Sequence, residues 1–178
     1  MKMRENKGVT LIALMITIVI LLIIAGIAIY SGKDIIRRAD LEALRTNMLL
    51  VEAKARGLVE EANFQLGPNF DYNLTDTEST QKMSEVRTSI YVTENKLQKL
   101  SETSVSIPSG SNIPTGDNVY VMTEETYALW ELKSVYNEFE DGEVYLIAFD
   151  EQNAIVEIYN TLGYQGNYSL TQIDNLEE

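Results

Sequence analysis

No cysteine and no histidine occurs among the 178 residues of this chain. Without thiols there is no disulfide framework and no thiolate nucleophile. Without imidazole there is no Ser-His-Asp or Cys-His arrangement, and the commonest zinc ligands are missing. Basic side chains are scarce as well: 14 Lys and Arg stand against 27 Asp and Glu, a formal net charge of −13. From Gly57 onward the only basic residues are Lys82, Arg87, Lys96, Lys99 and Lys133, so the whole of the acidic excess lies there. A segment of that charge does not hold nucleic acid by neutralising phosphates, and no nucleic-acid partner is expected. The sequence also lacks a P-loop and a Gly-x-Gly-x-x-Gly fingerprint. No cofactor, metal site or catalytic residue is expected.

Charge disappears altogether between Lys7 and Lys33. The run Gly8–Tyr30 is apolar apart from two threonines and two glycines. A bilayer core takes about 20 such residues as a helix, so this segment belongs in lipid or against copies of itself. Lys2, Arg4 and Lys7 outnumber Glu5 ahead of it, which favours a cytoplasmic N-terminus with the remainder outside. A secretory signal has a core of about 7–15 apolar residues followed by a small-residue cleavage site. Here the core is too long and no A-x-A site follows. The small residue that stands out is Gly8, ahead of the run, where a cut leaves the whole apolar helix on the mature chain. Composition alone also fits a plain single-pass anchor.

The order of basic leader, glycine and aliphatic run, in Lys7-Gly8-Val9-Thr10-Leu11-Ile12 followed by Leu14, resembles the signal of type IV pilins and pseudopilins. The resemblance implies cleavage after Gly8 by a membrane prepilin peptidase and methylation of Val9 as the new N-terminus. It places Leu11, Ile12, Ala13, Leu14, Ile18, Leu22, Ala25 and Gly26 in a helix that packs in a filament. It implies as partners other pilin subunits, an assembly platform with its motor, and membrane lipid before assembly. Most of that family has Glu at the fifth mature position, paired with a neighbour's amine; here the position holds Ala13.

The helical pattern continues beyond the run. Ile36, Leu44, Met48, Val51, Ala55, Leu58, Val59 and Ala62 form one apolar stripe. Asp34–Arg38 and Glu52–Arg56 are opposite charges four apart with the acid first. A helix from Val9 to about Ala62 would span on the order of 80 Å, and Gly67-Pro68 ends it. The expected organisation is a basic leader (1–8), a long helix (9–62, with 9–30 as membrane or filament core) and an acidic head (63–178). The expected fold class is α+β: the long helix packed on a small head with a short antiparallel sheet, as in pilins.

Within the head, residues 67–80 read as loop. Ser79 or Thr80 then caps a helix through about Leu100, with Met83, Val86, Ile90, Leu97 and Leu100 on its inner face. Residues 103–118 read as an exposed connection. Val119–Met122 is a short strand, and Thr123 caps a helix in which Tyr127, Leu129, Trp130 and Leu132 supply core bulk. Residues 143–149 and 154–159 read as a hairpin around Asp150–Asn153, and Gly163 and Gly166 mark a further turn. Tyr120, Tyr127, Tyr145 and Tyr159 alternate with aliphatics as packing residues do. Asp71, Asn73, Asp76 and Glu78 carry oxygen ligands of the kind calcium takes, but without EF-hand spacing they read as a solvated acidic loop. Glu138, Glu140, Asp141 and Glu143, and the pair Asp150–Glu151, read as solvated turn residues. Asn73-Leu-Thr75 and Asn167-Tyr-Ser169 match glycan acceptor triplets.

The functional expectation is a non-enzymatic subunit of a pilus-like or pseudopilus filament, lodged in the cell membrane before assembly and extracellular after it. Two alternatives stand beside it. One is a minor or tip pseudopilin of a type II secretion or DNA-uptake machine. The other is a single-pass anchor carrying an outer ligand-binding domain.

Overall fold

The computed structural model describes residues 7–133 and 142–176; the side chains of 7–12 and 27–34 lie outside that description. Glu138, Glu140 and Asp141, and the leader up to residue 6, also fall outside it. The chain divides into two compact units, Met1–Glu42 and Ala43–Glu178. Helix α1, Lys7–Leu66, contributes to both. The fold is α+β, with α1, shorter helices and a five-stranded antiparallel sheet.

In the second unit the predicted stripe is buried from Met48 through Val51, Ala55, Leu58, Val59 and Ala62, and it continues to Leu66. In the first unit, Ile36 is exposed rather than buried. The helix ends one turn later than the sequence pattern indicates. Gly67 takes a left-handed φ of +90° there, a conformation in which glycine avoids the Cβ penalty.

Helix α2 spans Thr77–Arg87. Its cap is Asp76, not Ser79 or Thr80: the Asp76 carboxylate accepts from the Ser79 backbone N–H at 2.7 Å. That bond holds the carboxyl below its ordinary pKa. The helix does not run to Leu100. Over Thr88–Glu94 it widens into a π-helical turn, where the β-branched residues crowd a regular helix. The wider turn buries two successive residues, Ile90 and Tyr91. The Asn95 side chain then donates to the Ile90 carbonyl at 2.8 Å and accepts from Trp130 Nε1 at 2.8 Å.

Five strands follow in a simple meander: β1 Gln98–Lys99, β2 Val119–Val121, β3 Tyr145–Asp150, β4 Ile155–Tyr164 and β5 Asn167–Ser169. Between β2 and β3, helix α3 (Glu124–Leu129) begins at Thr123 in a reciprocal capping box with Thr126. Leu129 is 53% exposed, so it adds nothing to the core; Tyr127, Trp130 and Leu132 are buried. Strand β4 outruns the sequence estimate by several residues. Gly163 lies inside it at φ +59°, where a Cβ would sit 2.4 Å from the Asn167 carbonyl oxygen. A C-terminal helix, α4 (Leu170–Asp174), follows β5 behind a Ser169–Gln172 capping box that the sequence reading passed over.

Both sheet faces are covered. Successive strand residues point to opposite sides, and the register pairs Tyr120 with Ile147, Ile147 with Ile158, and Phe149 with Val156. On that side Tyr91 stacks on Phe149 at 4.2 Å. The other side carries Val119, Val121 and Leu146, clustered with Leu100 and Ile113. Val105 and Ile107 pack on the same cluster. Residues 103–118 are therefore not simply an exposed connection: their few aliphatics strap the second face of the sheet.

The β3–β4 turn holds the largest departure from expectation. Glu151, read as a solvated turn residue, is 4% exposed. Arg87 grips it with Nε and Nη2, each 2.9 Å from one carboxylate oxygen, and the Tyr91 hydroxyl donates to it at 3.3 Å. Glu143 is likewise engaged, accepting from Asn160 and from the Tyr145 hydroxyl.

Removing one partner of such a pair strands a buried charge, which costs about 3–5 kcal/mol. Arg87→Met is expected to lower unfolding free energy by that order in a urea titration of the detergent-solubilised chain, read by the single tryptophan, Trp130. Arg87→Met/Glu151→Leu is expected to recover most of the loss. A single variant as stable as the parent contradicts the assignment.

Burial also raises the pKa of four core tyrosines, Tyr91, Tyr120, Tyr127 and Tyr145, with Tyr120 pushed up to about 12. The folded state binds protons that the unfolded state releases above about pH 10, so stability is intact below that pH and falls as pH rises through it. Thermal unfolding scans from pH 8 to 12 are expected to show the midpoint dropping above about pH 10. The part of the phenolate absorbance that belongs to these four tyrosines should appear with unfolding rather than ahead of it.

Candidate functional site

The feature of the first unit that calls for a partner is the apolar surface of α1. Every residue from 13 to 26 is exposed, Leu22 to the extent of 67%. Helical spacing of four, four and three sets Leu14, Ile18, Leu22 and Ala25 on one face. Ala13 and Gly26 lie off that face, and among the described residues nothing beyond the helix's own adjacent backbone comes within 4 Å of where a Cβ on Gly26 would be.

The surface is dry. Within 13–26 the only side chain with a hydrogen-bonding group is Thr17, and its hydroxyl donates back to the Leu14 carbonyl at 2.8 Å. Nothing on this stretch asks for water or for a polar partner. Contiguous apolar exposure of this kind marks a binding surface or a lipid-facing one. The described stretch of 14 residues measures about 21 Å, short of a bilayer core of about 30 Å. Accordingly, among the described residues no helix is long and apolar enough to cross a membrane. The sequence continues the apolar run on either side, from Gly8 and to Tyr30. Gly8, Val9, Leu11 and Ile12 fall within α1, but their side chains lie outside the description.

Among its described residues the head offers no comparable chemical centre. An open cavity of about 430 Å³ lies beside Leu66, Phe70, Asp71, Asp76 and Lys82. Its polar groups are committed to structure. Asp71 accepts from the Asn73 backbone and side chain at 3.0 Å, Asp76 caps α2, and Lys82 donates to the Leu66 carbonyl at 2.7 Å. Among the described residues no group of three Asp or Glu is placed to hold a metal ion. Arg87 and Glu151, which the sequence reading missed, had no local signal. One sits within an ordinary amphipathic helix and the other in an ordinary polar turn.

No curated protein and no solved structure matches the chain. Residues 3–29 match the prokaryotic N-terminal methylation motif. That segment covers the basic leader, Gly8, Val9 and nearly all of the dry helical surface, and so the chain bears the N-terminal signal of type IV pilins and pseudopilins.

Proposed function

We propose that this chain is a structural subunit of a type IV pilus-like or pseudopilus filament. The observation that carries the reading is the coincidence of the methylation motif with an exposed, dry helix face inside it. The basic leader retains the N-terminus in the cytoplasm while the apolar run enters the membrane. A prepilin peptidase cuts between Gly8 and Val9, and Val9 becomes the methylated N-terminus. Glycine is the weakest helix former after proline, by about 1 kcal/mol relative to alanine, so unwinding the chain at Gly8 for a protease costs little.

Subunits then leave lipid for one another. Lipid tails and Leu, Ile and Val side chains are similarly apolar, so the exchange depends on close packing rather than on hydrophobicity. Leu11, Ile12, Ala13, Leu14, Ile18, Leu22, Ala25 and Gly26 are the residues assigned to that packing. The motor, platform and peptidase supply work and processing, and the acidic heads form the outer surface of the polymer.

Ala13 favours a second reading within the same family. A buried carboxylate requires a partner, and a subunit that lacks one at the fifth mature position suits a place where no neighbouring amine has to be met. That describes a minor or tip pseudopilin of a secretion or DNA-uptake machine. The sheared filament fraction separates the two: a major subunit dominates it, and a minor one is scarce in it.

Mass spectrometry of the chain recovered from sheared filaments is expected to find an N-methylated Val9 and no leader. Gly8→Leu is expected to keep the leader and to abolish polymer, leaving the chain in the membrane fraction. Polymers built from subunits with Met1 intact would falsify the proposal. A chain that keeps its leader and never polymerises points instead to a single-pass anchor with an outer binding domain.

A further inference from the structure

Beyond the apolar run, α1 carries an exposed aliphatic pair directly followed by an exposed basic pair. Ile35 and Ile36 are 68% and 62% exposed, and Arg37 and Arg38 are exposed beside them. Lys33 precedes them in the sequence, so residues 33–38 hold three basic residues and one acid, Asp34. Asp34 stands four residues before Arg38 and offsets part of that charge. The island is isolated: from Ala43 onward 8 Lys and Arg stand against 23 Asp and Glu. Anions repelled by the rest of the outer part are attracted here.

The rise of the helix says what lies at this level. Val9–Tyr30, 22 residues, measures about 33 Å, close to a hydrocarbon core of about 30 Å. Val9–Ile36, 28 residues, measures about 42 Å, the thickness of a bilayer with both headgroup layers, about 40–45 Å. Ile35 and Ile36 therefore reach the outer headgroup layer, and Arg37 and Arg38 stand at its edge. Acid returns at Asp40, about 15 Å beyond Tyr30 and clear of that layer. Arginine lays its stem along apolar surface while its head stays with polar groups, and its guanidinium meets a phosphate with two parallel hydrogen bonds. The acidic head of another copy would satisfy the arginines but would leave the isoleucines against charge.

We infer that Ile35–Arg38 is a docking collar for anionic phospholipid of the outer leaflet, with Arg37 and Arg38 on the lipid phosphates and the two isoleucines at the glycerol level beneath them. The inference rests on the membrane-lodged state in the filament reading. It holds equally for an uncleaved single-pass anchor, so a failure of cleavage or polymerisation leaves it standing. It adds a condition to assembly: a subunit leaving the bilayer gives up headgroup contacts as well as lipid tails.

The absence of cysteine gives a single-site reporter. Ala39 is exposed and next to the arginines. The full-length Ala39→Cys chain, with an environment-sensitive fluorophore on its one thiol, is reconstituted sparsely in mixed phosphatidylcholine–phosphatidylglycerol vesicles. The same nitroxide quencher is placed on one lipid or the other. Quenching is expected to be roughly threefold stronger or more with the nitroxide on phosphatidylglycerol, and to become equal for the two lipids at high salt, which screens exposed charges. The leader cations belong to the opposite leaflet and do not contribute. Arg37→Gln/Arg38→Gln on this background is expected to abolish the preference with the thermal midpoint unchanged, because neither side chain is buried.

Equal quenching by the two lipids at low salt overturns the inference, and so does a preference that survives Arg37→Gln/Arg38→Gln. No quenching by either lipid overturns the placement at headgroup level. A signal that follows protein density and not lipid charge assigns the collar to the acidic head of another copy and overturns the lipid assignment. Should the double variant fail to insert, the salt titration of the parent decides, and a preference unchanged at high salt overturns the inference.

Discussion

The exposed apolar surface of α1 is the constraint from which the rest of the molecule follows. Residues 13–26 present aliphatic side chains in every direction, and all of them are exposed. Their one polar side chain in the described stretch is satisfied by its own backbone. Such a surface is stable only in lipid or against other apolar helices. Farther along the same helix, from Met48 to Leu66, one stripe is already covered by the head. The helix thus meets two needs by position: partners from elsewhere for its first part, and its own subunit for its second.

The head serves the second need without disulfides, and its means are visible. Tyr91, Tyr120 and Phe149 pack ring against ring, and edge or stacked aromatic pairs add about 0.5–1.5 kcal/mol beyond the area they bury. Arg87 and Glu151 close the β3–β4 turn onto the end of α2. Arg45 ties α1 to α4 through Asp174 at 2.6 Å. A mostly buried pair such as Arg87–Glu151 adds less net stability than its geometry suggests. Its effect is to penalise any arrangement in which one of the two is left alone, which fixes the turn on the helix.

Much of this was legible in the residues because periodicity reports burial directly. Met48, Val51, Ala55, Leu58, Val59 and Ala62 are buried as their spacing indicates, and so are Met83, Val86, Ile90, Leu97 and Leu100, although the helix assumed to carry those five is broken. Met83, Val86 and Ile90 keep helical spacing as far as the π turn, whereas Leu97 and Leu100 lie beyond it, on either side of β1, and reach the core from backbone that is no longer α-helical. Thr123 reads correctly as a cap because its bond partner is three residues away. Glu151 was misread for the opposite reason: its partner Arg87 is 64 residues distant, and nothing local separates a buried turn carboxylate from a solvated one. Residues 103–118 misled by composition, since Ser, Gly and Pro conceal the few aliphatics that cover the sheet. On α1, the motif at residues 3–29 announces processing, but neither motif nor hydropathy says which faces meet.

That last gap has a physical origin. Aliphatic helices slide past one another at small cost, because any register buries similar area. A polar residue at an otherwise apolar interface removes that freedom by demanding its partner. Ala13 carries no polar group, and Thr17 is occupied with its own backbone. Between residues 13 and 26, then, nothing selects one register over its neighbours. An ordered polymer of this chain must take its register from a part of the molecule where shapes and charges differ along the helix. The apolar run supplies attraction without address.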